Sequence, residues 1–204
     1  MPETCFFNKL HIILVNFKLR HICDFSIPKL MKSKENLVFL GMMGSGKSSI
    51  GLIVSKKLNL DFIDVDLEVE KIEGMKISEI FDKRGEKYFR EIEEKISLKI
   101  LKKENIVIAL GGGAFLNKNI RNEILSNHLS FWLKWDCKTI VDRIKNSSKR
   151  PIAFNAKNND LLDLIKKRTN FYSKALYKIN CNNLTKNQIV EEVINIYETC
   201  KINR

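Results

Sequence analysis

The chain of 204 residues is 44% hydrophobic, which suits one compact α/β domain and leaves little sequence for a second one. Its formal net charge of +12 comes from lysines and arginines scattered along the chain, and no motif of a nucleic-acid-binding module accompanies them. The charge is compatible with ordinary solvated faces and also with attraction of anionic ligands such as nucleotides. We therefore expect a globular protein without a nucleic-acid partner.

Cysteine and histidine spacing argues against paired cysteines and against a histidine metal site. The five cysteines are odd in number, widely spaced and without a C-x-x-C pair, as is typical of reduced thiols in a cytoplasmic protein. The three histidines show no metal-ligand spacing. We expect a cytoplasmic protein with free thiols and no histidine metal site.

Residues 1–30 differ from the sequence that follows them. Their apolar stretch, residues 6–19, is interrupted by polar residues and is too short to span a bilayer. It also lacks the small-residue cleavage site of a secretory signal, although an organelle transit peptide is an alternative. We favour Met31 as the natural start, residues 1–30 as an extension that is disordered or not native, and residues 31–204 as the domain. We expect no membrane partner.

From residue 36 onward, apolar runs alternate with helical patterns. Strands are predicted at residues 36–40, 61–65, 105–110, 129–134 and 177–180. Helices are predicted at residues 47–58, 66–73, 77–84, 86–103, 118–126, 137–145, 160–175 and 186–200. This alternation predicts an α/β fold, in which a parallel sheet carries helices on both faces. Ligands of such sheets lie beyond the carboxyl ends of the strands, which here means just after residues 40, 65 and 110.

The segment after the first strand, residues 41–48, is G-M-M-G-S-G-K-S and has the spacing of a phosphate-binding P-loop. Its glycines allow backbone N–H groups to surround anionic oxygens. Lys47 adds a positive charge for the β- and γ-phosphates, and the Ser48 hydroxyl is placed to bind Mg²⁺. The flanking strand and helix predict phosphates at a helix N-terminus, against the alternative of a turn that binds nothing.

Two carboxylates, Asp64 and Asp66, follow the second strand. Strand alternation places both on one side, at the ligand end of the sheet. One can support Mg²⁺, and the other can orient or deprotonate an acceptor hydroxyl. The alternative is that Asp66 only caps the helix that follows it.

Three consecutive glycines, residues 111–113, follow the third strand and predict bare backbone at a ligand-facing edge. P-loop enzymes often place an acidic residue near the end of this strand for Mg²⁺. Here those positions are Ala109 and Leu110, so Asp64 is the candidate metal carboxylate.

Three arginines are candidate anion-binding groups. Arg90 shares a helix face with Glu93, which could hold it while it clamps a carboxylate, and the alternative is a surface ion pair of little worth. Arg168 is a second possible clamp. Arg150 lies in a polar loop of about residues 146–158 and is a candidate lid arginine that closes over phosphates. Arg150 and Arg168 could also be mere surface charge.

Together these segments resemble the shikimate kinase family. The resemblance covers roughly residues 36–177 and consists of G-M-M-G-S-G-K-S, F-I-D-V-D, I-S-E-I-F, G-E-K-Y-F-R-E-I-E, A-L-G-G-G-A, R-P and R-x-x-x-Y. It implies a three-layer αβα P-loop NTPase fold with a five-stranded parallel sheet in the order 2-3-1-4-5. It also implies phosphoryl transfer from ATP to the 3-hydroxyl of shikimate, in aromatic amino-acid biosynthesis. We expect a monomer whose partners are ATP and shikimate.

The resemblance further implies a role for each matching residue. The predicted catalytic residues are Lys47 on the transferring phosphoryl group, Asp66 as base or orienting group, and the lid residue Arg150. Ser48 and Asp64 hold Mg²⁺. The predicted ATP-binding residues are Gly44, Ser45, Gly46, Lys47, Ser48, Ser49, Arg143, which packs on adenine, and Arg150. The predicted shikimate-binding residues are Asp66, Arg90, Gly112, Gly113 and Arg168, with Ile77, Phe81, Phe89 and Glu93 lining or supporting the pocket.

One departure and two other functions stay open. Ile152 and Ala153 replace the two leucines that usually follow the lid arginine and proline, which could loosen lid packing. The other functions are another small-molecule P-loop kinase, such as a gluconate kinase, and a catalytically silent nucleotide-binding protein. The segment G-E-x-x-F-R-x-x-E with Arg168 favours a carboxylated ring as the acceptor, which argues against a gluconate kinase. The intact charged and hydroxyl positions argue against a catalytically silent protein. Charge alone does not exclude a nucleoside monophosphate as the acceptor.

Overall fold

The computed structural model describes residues 35–145 and 158–202. Over this part of the chain no helix is both long and apolar enough to cross a membrane. The predicted extension at residues 1–30, the start at Met31, the lid residues 146–157 with Arg150, and the departures at Ile152 and Ala153 all lie outside the described residues.

The described residues form a five-stranded parallel sheet with helices on both faces. Its strands are β1 (Leu37–Leu40), β2 (Asp61–Asp64), β3 (Ile106–Ala109), β4 (Leu129–Lys134) and β5 (Tyr177–Asn180). The helices are α1 (Lys47–Leu58), α2 (Val65–Glu73), α3 (Ile77–Leu101), α4 (Lys118–Asn127), α5 (Cys137–Lys145), α6 (Asn158–Tyr172) and α7 (Lys186–Ile202). The strands pair in the order β2-β3-β1-β4-β5, so the predicted fold class and strand order are confirmed.

Predicted and observed elements differ mainly at their ends. Helix α3 spans the two helices expected at residues 77–84 and 86–103, but Gly85 interrupts it with φ 78° and ψ 169°, which kinks the helix at the predicted break. Helix α6 ends at Tyr172, because tighter turns close the chain from there to Ala175. A short 3₁₀ helix at Ala114–Leu116 was not expected.

The sheet separates two hydrophobic cores. Leu37 and Phe39 of β1 face one core, which α1 and α7 cover, while Val38 and Leu40 face the other, which α3, α4 and α6 cover. Strands β1 and β3 are buried along their whole length. This burial on both faces explains why their sequences are apolar runs without alternation.

Asn36 joins the start of β1 to the chain before β3. Its side-chain amide donates to the carbonyl oxygens of Leu101, at 3.3 Å, and Lys103, at 2.7 Å, and its Oδ1 accepts from Ile106 N at 3.1 Å. Asn36 is fully buried, so its loss leaves backbone groups at this site without their hydrogen-bond partner.

We predict that Asn36→Ala lowers the free energy of unfolding by about 2–3 kcal/mol, because it leaves buried backbone groups without hydrogen-bond partners. Urea denaturation monitored by circular dichroism measures the change. Asn187→Ala, which truncates an exposed asparagine on α7, serves as the control and should change stability by less than about 0.5 kcal/mol. Equal effects of the two substitutions would contradict the role given to Asn36.

Candidate active site

The loop between β1 and α1 wraps around the ammonium group of Lys47. Gly41, Gly44 and Gly46 have φ of 143°, 84° and 91°, a range that residues other than glycine rarely adopt. Lys47 Nζ donates to the carbonyl oxygens of Gly41, at 2.9 Å, and Met42, at 3.0 Å, and the residue is buried. Gly46 directly precedes α1, so this loop delivers the chain to a helix N-terminus, as the P-loop spacing predicted.

Asp64 links this loop to α2. Its Oδ2 accepts from the Ser48 hydroxyl at 2.5 Å, and its Oδ1 accepts from the backbone N–H groups of Asp66, at 3.0 Å, and Leu67, at 3.4 Å. Asp64 is therefore the N-cap of α2. The interpretation of Asp66 as a helix cap was wrong, because α2 begins at Val65.

The same early start corrects the expected position of Asp66. Strand alternation was expected to bring both carboxylates to one side, but β2 ends at Asp64 and Asp66 reaches the site from the first turn of α2. The two carboxylates nevertheless line one cavity of about 230 Å³. Its lining residues are Met43, Gly44, Gly46, Lys47, Ser48, Ser49, Asp64, Asp66, Leu110 and Gly112.

The glycines after β3 lie close to charged side chains of α2 and α3. A methyl group on Gly111 would lie 2.5 Å from Glu93 Oε1 and 2.7 Å from Asp66 Oδ1. A methyl group on Gly113 would lie 2.5 Å from an Arg90 guanidinium nitrogen. These distances are shorter than any real contact of a methyl carbon, so the glycines are needed for close approach.

Arg90 and Glu93 form a largely buried ion pair on α3. Arg90 Nη1 lies 2.7 Å from Glu93 Oε2, and the side chain of Glu93 is only 3% exposed. Burial raises the pKa of the Glu93 carboxyl, which the Arg90 guanidinium offsets in part and nearby Asp66 reinforces. The interpretation of this pair as a surface ion pair was wrong.

Arg168 and Tyr172, one turn apart on α6, both bond the Gly112 carbonyl oxygen. Arg168 Nη1 donates to it at 3.3 Å, and the Tyr172 hydroxyl donates to the same oxygen. Arg168 is buried, so it is not mere surface charge. Burial also raises the pKa of Tyr172 to about 12, which keeps its hydroxyl protonated as a donor.

A second cavity, of about 430 Å³, adjoins the other side of the P-loop. Arg143 lies at its edge, with its guanidinium carbon 3.7 Å from the centre of the Trp135 ring. The cavity lining consists of Gly44, Ser45, Gly46, Ser49, Ile50, Trp135, Arg143, Leu184, Lys186 and Ile189. The predicted ATP-binding residues within the described chain therefore border one or both cavities.

Sequence reasoning missed Trp135, and it quoted Tyr172 only as part of a motif. Trp135 directly follows β4, so the rule that ligands lie beyond strand ends could have found it had it been applied after residue 134 as well. No comparable local signal pointed to the bond between Tyr172 and Gly112, which are 60 residues apart.

Known proteins resemble this chain over most of its length. The family model described as shikimate kinase matches residues 43–198. A shikimate kinase of Sulfurihydrogenibium sp. is 40% identical over 160 residues, which cover 78% of this chain and 96% of that protein. The structure of the Acinetobacter baumannii shikimate kinase in complex with shikimate superposes with a TM-score of 0.76 at 26% identity, over 82% of this chain and 94% of that one.

A gluconokinase from Sinorhizobium meliloti also superposes, with a TM-score of 0.52 at 15% identity, over 82% of this chain and 94% of that one. Likeness at that level is a likeness of fold alone.

We predict that Arg90→Ala lowers the free energy of unfolding by about 2–3 kcal/mol at pH 8, an amount discounted for the partial exposure of Arg90. The loss should be smaller at pH 5. When the pKa of a carboxyl is higher in the folded than in the unfolded state, the free energy of unfolding falls as the pH rises through the folded-state pKa. Removing Arg90 raises the pKa of Glu93 further, so this fall becomes larger.

Urea denaturation at both pH values tests this prediction. Glu86→Gln is the control, because it removes the exposed partner of Arg90 and leaves Glu93 paired, so stability should change by less than about 0.5 kcal/mol. An Arg90→Ala effect that is the same at pH 5 and pH 8 would contradict the assignment of the cost to Glu93.

Proposed function

The chain belongs to the shikimate kinase family, and we propose that it transfers the γ-phosphoryl group of ATP to the 3-hydroxyl of shikimate, giving shikimate 3-phosphate and ADP. The observation that carries this proposal is the shared cavity, in which the P-loop residues Lys47 and Ser48 meet Asp66 and Gly112. One wall thus offers phosphate-binding groups, and the other offers a carboxylate near the partly exposed Arg90 and the buried Arg168.

On the donor side, the P-loop binds the ATP phosphates. The ammonium group of Lys47 lies inside the loop, on the carbonyl oxygens of Gly41 and Met42, and it exchanges these partners for phosphate oxygens when nucleotide binds. Its charge and the N-terminus of α1 then stabilise the negative charge of the transferring group. Arg150, outside the described residues, acts as the lid arginine over the same phosphates.

The Ser48 hydroxyl and the Asp64 carboxylate suit Mg²⁺. They bring two hard oxygen donors together at the P-loop, and Mg²⁺ in kinases is bound by one or two protein oxygens together with phosphate oxygens and water. When bound, the ion neutralises charge on the phosphate oxygens of ATP.

On the acceptor side, Asp66 orients the 3-hydroxyl of shikimate and accepts its proton. Arg90 and Arg168 bind the shikimate carboxylate, with Glu93 holding Arg90 from the buried side. Gly112 and Gly113 contribute backbone, and the lack of a side chain on Gly113 lets Arg90 approach the strand end. This half of the site is built before substrate arrives, which lowers the cost of orienting the ring.

We also infer the setting of the reaction. Residues 31–204 form the kinase domain, and Arg143 packs on the adenine of ATP beside the larger cavity. The described cysteines, Cys137, Cys181 and Cys200, carry free thiols, which supports a reducing cytoplasm. We propose that the protein acts there as a monomer.

A coupled assay of ADP release tests the proposed function. With ATP and Mg²⁺ in excess, ADP release should depend on shikimate and stay at background with gluconate. Product analysis by ³¹P nuclear magnetic resonance should show a phosphate monoester on the 3-oxygen. Turnover with gluconate, or none with either acceptor, would refute the proposal in favour of another kinase or a silent nucleotide-binding protein.

We predict that Asp66→Asn lowers kcat by about 10²–10⁴-fold, because the amide no longer accepts the hydroxyl proton. The Kd for ADP, measured by isothermal titration calorimetry, should stay within about threefold of the unaltered protein. The control is Asp163→Asn, which neutralises an exposed carboxylate on α6 and should leave kcat unchanged. A large loss of ADP affinity in Asp66→Asn would show that Asp66 belongs to the donor side.

A further inference from the structure

Trp135 is the first residue after β4. Its ring lies under the guanidinium of Arg143, with 3.7 Å from the guanidinium carbon to the ring centre. Contacts of this kind between Arg and Trp are attractive and keep the two planes together. Arg143 is exposed, so without Trp135 its long side chain would sample many rotamers.

The same indole also contacts the P-loop. Trp135 Nε1 donates to the Ser45 carbonyl oxygen at 2.9 Å, a bond between residues 90 positions apart. Arg143 Nη1 donates to the neighbouring Gly44 carbonyl oxygen at 3.4 Å. Both members of the stack are therefore bonded to consecutive P-loop carbonyls, and the geometry of the stack is tied to that of the phosphate-binding loop.

Trp135 is itself held in place. It is half-buried and packs against both hydrophobic cores, at the carboxyl end of β4. Trp135 and Arg143 both line the cavity of about 430 Å³, together with the N-terminal residues of α7. That volume accommodates a purine base and ribose, with the P-loop at one side for the phosphates.

We propose that Trp135 is a positioning residue of the nucleotide site. It fixes the guanidinium plane of Arg143 as a platform for the purine base, and through Ser45 it sets the position of that platform relative to the P-loop. The inference rests on the proposed function in taking ATP as the ligand and Arg143 as the residue that packs on its adenine. Its energetic reason is that a fixed arginine loses less conformational entropy when a base stacks on it.

Two substitutions separate the aromatic face from the hydrogen bond. Trp135→Leu removes both, and we expect its Kd for ADP to rise roughly tenfold, whereas Trp135→Phe keeps the stack, loses the bond to Ser45 and should raise the Kd by only about threefold. Tripolyphosphate, which occupies the P-loop without a base, should bind the leucine variant within about threefold of the unaltered protein. Calorimetry without shikimate measures all of these values.

A double-mutant cycle with Arg143→Ala distinguishes positioning from a general effect on folding. Because Trp135 acts through Arg143, Trp135→Leu combined with Arg143→Ala should bind ADP no more than about twofold more weakly than Arg143→Ala alone. Arg143 is exposed, so its truncation does not threaten the fold and keeps the cycle usable. In turnover, Trp135→Leu should raise the KM for ATP and leave the KM for shikimate within about twofold.

Three results would overturn the proposal. They are unchanged ADP affinity in Trp135→Leu, equal losses for ADP and tripolyphosphate, and losses that multiply when Trp135→Leu is combined with Arg143→Ala. Failure of the proposed function is recognised separately: the unaltered protein would then lack shikimate-dependent turnover, while the pattern of ADP affinities, measured without shikimate, would still decide the role of Trp135.

Discussion

The close approach of charged side chains to residues 111–113 is the constraint on which the acceptor half of the site depends. Strand β3 lies between β2 and β1 in the sheet, so its end comes between Asp64 and the P-loop. Only bare backbone leaves room there for Glu93 and Asp66 beside Gly111, and for Arg90 beside Gly113. The strand order thus puts residues 111–113 at the centre of the site. Because these residues lack side chains, charged groups can lie close together there.

Glu93 shows how this arrangement connects stability with binding. A carboxylate that is 97% removed from water would be strongly destabilising without a cation, and Arg90 supplies that cation. Arg90 is then oriented from the buried side, and its Nε and Nη2 donate on the outer side to the exposed Glu86, a partner that a ligand carboxylate would have to replace. Asp64 is shared in a similar way, because one of its oxygens caps α2 while the other accepts from Ser48. Single side chains serve both the fold and the site.

Much of this architecture was accessible from sequence, for identifiable physical reasons. The central strands are buried on both faces, so β1 and β3 appear as apolar runs, and the P-loop has a spacing that local backbone geometry demands. The strand order came from the resemblance and not from periodicity. Local reasoning failed where one residue decided the geometry: α2 begins at Val65, so the strand alternation expected to relate Asp64 to Asp66 does not extend to Asp66. It also could not find the contacts of Trp135 and Tyr172, because their partners lie far away in the chain.

The two halves of the site are built by opposite means. The acceptor half includes the buried groups Arg168, which donates to the Gly112 carbonyl oxygen, and Glu93, which pairs with Arg90. The base-binding side that we propose for the donor half relies on the exposed Arg143, which contacts the Trp135 ring and the Gly44 carbonyl oxygen. A buried group is expensive to move, so recognition of the acceptor is inseparable from the stability of the fold. An exposed arginine can vary without unfolding the chain, so the recognition of the base can change independently, provided that the P-loop keeps its hold on the phosphates.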